Sequence, residues 1–157
     1  AAAPQAVASM IAKIQGQLTS CASSISQAAG VAALALPDDS LDPFVDEFKW
    51  RRDYVLTRLR DMQPRLACPP DPNGAFYVLP DVKKCFGLAT VDGTQIRDSS
   101  GFCAGLLEHR KLALVPGDAF GAPDAIRISY ATDRDTLQRA MDALEAFVLN
   151  DLHELSE

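Results

Sequence analysis

With 157 residues, 48% of them hydrophobic and 23% charged, the chain is long enough to bury a core and has a globular rather than a disordered composition. A net charge of -6, with no basic stripe and no interleaved aromatics, excludes nucleic acid and anionic lipid as partners. Cys21, Cys68, Cys85 and Cys103 make no Cys-x-x-Cys pair and have only His109 and His153 for company, which excludes a zinc-ligand pattern and points to free thiols in a reducing compartment.

The Ala-rich start lacks the basic and apolar regions of a secretory signal, and no apolar run approaches ~18 residues, so a soluble protein with no membrane span is expected. Residues 5–36 mix small apolar and small polar side chains without an internal proline. They predict two helices separated by the Gly-Gln-Leu-Thr-Ser stretch at 16–20, the second beginning near Ser23 or Ser24. Alanine-rich helices bury little apolar area, so this pair is expected to belong to a larger body.

Asp42 followed by Pro43 predicts a capped helix start. The helix ends near Arg60, spans roughly 25 Å and carries the stripe Phe44, Val45, Phe48, Val55, Leu56 and Leu59. Such a helix could bridge two domains.

From Pro64 the pattern turns to α/β. "GAFYVLPDV" predicts a strand, "KKCFGLATVDGTQ" a loop, "SSGFCAGLLEHRK" an amphipathic helix, "LALVPG" a short buried strand and "AIRISYA" another strand. Thr132 is expected to cap a last helix with Asp133 and Asp135 in its first turn and Leu137, Met141, Leu144, Phe147 and Val148 on one face. The chain thus divides into 1–41, a connecting helix 42–63, and a two-layer unit 64–157.

Within "AIRISYAT", Arg127 stands on the strand face opposite Ile126 and Ile128. Three readings fit an arginine there: a structural ion pair, a solvated face, or a fork aimed at an anion. "NGAFY" reads as an Asn73-Gly74 turn followed by core aromatics, and "VPGDAFG" as a loop in which Gly117 and Gly121 supply positive φ.

The ordered segments "KIQGQLTSCASSISQAAGVAAL", "RRDYVLTRL", "PNGAFYVLPDV", "LALVPGDAFG" and "IRISYATD" resemble the C-terminal part of class I, fold type I, pyridoxal-phosphate-dependent aminotransferases of the aspartate/prephenate branch. The resemblance implies that 1–41 are the last helices of a large cofactor domain, 42–63 an interdomain helix, and 64–157 the small domain that closes over substrate. It implies that Arg127 grips the substrate α-carboxylate, a task suited to a permanently charged fork with two parallel donors. Gly74 then lies on a segment near the substrate, and Phe120 beside it. Gln17, Thr19 and Ser20 reach toward the neighbouring subunit's site in a homodimer, although an ordinary helix-ending turn explains them equally.

Pyridoxal 5'-phosphate chemistry needs a Schiff-base lysine and donors for the phosphate. Lys13, Lys49, Lys83, Lys84 and Lys111 do not stand in the family's lysine motif, and no Gly-rich phosphate loop is present. The chain is therefore expected to begin downstream of the catalytic lysine, to bind no cofactor or metal alone, and to need the N-terminal aminotransferase segment for transamination. By resemblance, cytoplasm and plastid remain open as compartments. The alternative is a stand-alone, non-catalytic amino-acid or protein-binding module derived from such a small domain.

Overall fold

A computed structural model describes residues 2–154, which divide into two compact units, 2–42 and 43–154. In the first, α1 (Gln5–Leu18) and α2 (Ser24–Leu34) precede a 3-10 turn at Asp38–Leu41. The first helix runs through Gly16 and Gln17 rather than stopping there, because glycine in an alanine-rich helix costs only about 1 kcal/mol. Neither helix buries a single residue. Val7, Met10, Ile11 and Ile14 form an exposed stripe on α1 at helical spacing.

In the second unit α3 (Asp42–Asp61) buries Val55, Leu56 and Leu59, whereas Phe44 and Val45 at its start stay exposed. Asp42 is already helical, continuing from the 3-10 turn, and so is not the cap its sequence suggests. Strands β1 (Tyr77–Val78), β2 (Val115–Pro116) and β3 (Ile126–Ser129) form an antiparallel sheet in the order β1-β3-β2. The outer strands are shorter than their hydrophobic runs. A left-handed Ala75 (φ 58°) interrupts the chain before β1, Pro80 after it has no amide hydrogen to donate, and β2 passes directly into the turn at Gly117–Phe120. Val115 is exposed, so β2 is an edge strand and not the buried one expected from "LALVPG".

Two further helices complete the unit: α4 (Ser99–Arg110) and α5 (Arg134–Ala146), the latter running into a π turn at Phe147–Asp151. Leu56, Leu59, Ile126, Ile128, Leu137 and Met141 belong to one core, in which Phe102 meets Phe147 edge-to-face at 5.3 Å. Gly105 lets α4 approach that ring, since a Cβ there would lie 3.1 Å from Phe147 Cζ. Arg110 grips the mostly buried Asp151 with two hydrogen bonds of 2.6 and 2.5 Å, tying α4 to the π turn.

Both helix starts are carboxylate caps. Asp133, not Thr132, caps α5 by accepting from the Thr136 amide at 2.8 Å, a bond that holds its carboxyl below the ordinary value. Asp98 caps α4 by accepting from the Gly101 amide at 2.7 Å. Asp98→Ala is expected to cost about 1 kcal/mol, read as a lower denaturant midpoint at unchanged slope.

Candidate functional site

The sheet register explains how Arg127 is presented. Tyr77 pairs with Ser129 and Val115 with Arg127, so these four share one face, while Val78, Ile126 and Ile128 are buried on the other. Tyr77 and Arg127 are diagonal neighbours across β1 and β3, within reach of long side chains. The Arg127 guanidinium carbon lies 4.7 Å from the centre of the Tyr77 ring.

Phe120 reaches the same arginine from the other side of the sequence. After β2 the chain turns through Gly117–Phe120, and the turn is closed by backbone bonds from Gly117 N to Ala125 O (2.8 Å) and from Ala122 N to Gly117 O (3.1 Å). Gly121 ends it at φ 71°. This path returns the Phe120 ring to 4.3 Å from the Arg127 guanidinium carbon. Of the two glycines expected to supply positive φ, only Gly121 does. Gly117 is needed for space, because a Cβ would overlap Ala122 O and lie 2.5 Å from Ala125 O.

Contacts with two aromatic rings attract the guanidinium and shield its faces, but its N–H donors lie in the guanidinium plane and point outward from the edge. Among the described residues no carboxylate is paired with Arg127. Several other arginines of this unit are satisfied internally, and the exposed Arg97, which has no carboxylate partner among the described residues, lies in solvent rather than against aromatic rings. Arg58 reaches Asp142 and Glu145 at 2.7 and 2.6 Å, and Arg134 and Arg51 hold Glu47, whose carboxyl the Arg134 hydrogen bonds pull down to about 2. Arg127 is thus a half-buried fork, oriented by aromatic contacts and suited to a carboxylate brought from outside.

Gly74 is exposed in the bend leading to β1, three residues before Tyr77, and its backbone is not left-handed. The residue that is left-handed is its neighbour Ala75. Gln17, Thr19 and Ser20 lie at the exposed end of α1 in the other unit; Thr19 is the C-cap residue, and Ser20 has φ 61°.

Tyr77 was not legible as a site residue, since "NGAFY" suggests that its aromatics fill a core. The available signal was period two: Val78 inward places Tyr77 on the face of Arg127, once the register is known.

Other chemistries find no support in this unit. Among the described residues no group of three or more His, Cys, Asp or Glu could hold a metal ion, and no helix is long and apolar enough to cross a membrane. Burial pushes the Cys85 and Cys103 thiols up to about 11, so neither is an activated thiolate at neutral pH.

Comparison with known proteins gives the family and the fold. A family model described as aminotransferase class I and II matches residues 1–144. An aspartate aminotransferase of Pinus pinaster is 43% identical over 151 residues, covering 94% of this chain and 30% of that protein. An aspartate/prephenate aminotransferase of Cereibacter sphaeroides is 39% identical over 147 residues, covering 94% of this chain and 36% of that protein. The crystal structure of the aspartate aminotransferase from Rhizobium meliloti matches with a TM-score of 0.88 at 40% identity, over 96% of this chain and 37% of that chain. The chain therefore spans about a third of the length of these relatives.

Proposed function

We infer that this chain, which belongs to the class I and II aminotransferases, supplies the arginine that binds the substrate α-carboxylate in an aminotransferase of the aspartate or prephenate type. The observation that carries the reading is Arg127 itself. It is held against Tyr77 and Phe120 without a carboxylate partner among the described residues.

In this reading, residues 64–157 are the small domain, 42–63 the interdomain helix and 1–41 the last helices of the large domain. The absence of any buried residue in α1 and α2 supports assigning them to a larger body. Gly74 and Phe120 lie beside the substrate. Gln17, Thr19 and Ser20 extend toward the partner subunit's site in a homodimer.

Pyridoxal 5'-phosphate is the cofactor the family resemblance implies, and it would supply the electron sink for amino transfer. The residues described here do not compose its site. Lys49 pairs with Asp46, Lys83 pairs with Asp124, and the Lys111 ammonium donates to Glu108 O. Lys13 and Lys84 are exposed. The chemistry assigned to this chain is therefore carboxylate recognition: a bidentate, charge-assisted grip that fixes the orientation of the substrate's Cα.

A substrate pair that differs in one group tests the proposal. β-Alanine is aspartate without the α-carboxylate. In the full-length protein aspartate is expected to bind about a hundredfold more tightly, the worth of a charged pair of hydrogen bonds. Equal affinities in a titration would remove the α-carboxylate role from Arg127.

A further inference from the structure

Tyr130 follows β3, three residues beyond Arg127, and is 2% exposed. Its hydroxyl donates to Ala75 O at 3.2 Å, and its backbone N–H donates to Phe76 O at 3.0 Å. One residue thus holds two consecutive carbonyls of the segment entering β1. The first belongs to Ala75, whose φ of 58° is unfavourable for any residue with a Cβ.

A left-handed alanine persists only where its surroundings over-determine it, and such strain collects at ligand sites. Here the residue after Phe76 is Tyr77, the ring 4.7 Å from the Arg127 guanidinium. A relaxed Ala75 would redirect the chain immediately before that ring. The α3 helix secures the other end of the bend, with Arg52 donating to Pro72 O at 3.3 Å and Arg60 paired to Asp71 at 2.9 Å. Phe48 of α3 lies 6.3 Å from both the Phe76 and Tyr130 rings, so the hydroxyl is fixed by packing as well.

Resting on the carboxylate reading of Arg127, we propose that Tyr130 is a positioning residue for that site: its hydroxyl holds Ala75 left-handed and thereby sets the Tyr77 ring against the Arg127 fork. It acts through Tyr77 and not on the substrate. A tyrosine that merely fills the core and finds its hydroxyl a partner would affect stability without affecting the environment of Arg127.

The test uses the full-length protein labelled with 15N at arginine Nε, where the two rings shift the Arg127 Nε–H resonance by their ring currents and Arg127→Lys assigns it. In Tyr130→Phe this resonance is expected to move toward the position of exposed arginines. KM for aspartate is expected to rise about fivefold with kcat within about twofold, matching one lost hydrogen bond upstream of binding. Adding Ala75→Gly, which tolerates positive φ, is expected to restore both. A resonance unmoved by Tyr130→Phe overturns the proposal, whatever the kinetics show.

Ala75→Pro provides a second route if Tyr130→Phe does not fold. It forbids positive φ while leaving Tyr130 intact, and it must move the same resonance or the proposal fails. Failure of the carboxylate reading looks different, because aspartate binding would then ignore Arg127→Ala while the resonance still responds to Tyr130→Phe.

Discussion

Arg127→Ala in the full-length protein is expected to lower kcat/KM for aspartate by roughly 150-fold, about 3 kcal/mol of lost transition-state binding. The estimate follows from removing a charged donor pair and leaving the substrate carboxylate without it. Because the proposed interaction is with the α-carboxylate, aspartate affinity should fall to that of β-alanine, and the affinity gap between the two should close. Arg127→Lys keeps the charge but not the planar fork, and should recover only part of the loss. The fold should tolerate either change. The guanidinium contributes about 1 kcal/mol through its aromatic contacts, and no carboxylate among the described residues loses its partner. Steady-state kinetics with a thermal melt on the same preparation separates the two effects. Undiminished kcat/KM would remove the substrate role from Arg127 and leave it a packing residue between two rings.

The difference between what the sequence discloses and what it conceals follows from the range of the interactions. Period-two alternation placed Ile126 and Ile128 inside and Arg127 opposite them, because strand geometry alone decides that. Helical spacing likewise placed Leu137, Met141 and Leu144 on the buried face of α5. Ring contacts with Arg127 depend instead on register between β1 and β3 and on backbone closure between residues 117 and 125, which are long-range facts. Local propensity failed where the backbone does something rare. Nothing in "NGAFY" suggests that alanine rather than glycine is left-handed, because the stabilising hydroxyl comes from Tyr130, 55 residues later. The short outer strands have the same origin: apolar residues predict burial, but Ala75, Pro80 and the turn at Gly117–Phe120 decide where regular pairing stops. On the helix starts, Thr132 and Asp133 are both good caps by type, and only the bond to the Thr136 amide distinguishes them.

Gly117→Ala is expected to be the most damaging single-methyl change in the second unit, costing at least ~3 kcal/mol. The added Cβ would meet two backbone carbonyl oxygens, Ala122 O and Ala125 O, neither of which can rotate away as a side-chain end could. Ala125 O also accepts the Gly117 amide, so relieving the overlap opens the bond that closes the turn. Gly121→Ala is the informative partner. Gly121 is left-handed at φ 71° with open space around it, so alanine there pays only the backbone preference, about 1 kcal/mol. The sequence assigns both glycines the same reason, whereas the structure separates them by mechanism and by a factor of about three in cost. Thermal melts of the two variants measure that separation directly, and comparable shifts would remove the packing account of Gly117. The consequences should extend to the site, because the turn that Gly117 permits carries Phe120 onto Arg127. With that ring displaced, one face of the guanidinium loses its aromatic contact and regains water. In the Gly117→Ala protein that remains folded, KM for aspartate should therefore rise, whereas Gly121→Ala should leave the ring in place and KM near that of the parent.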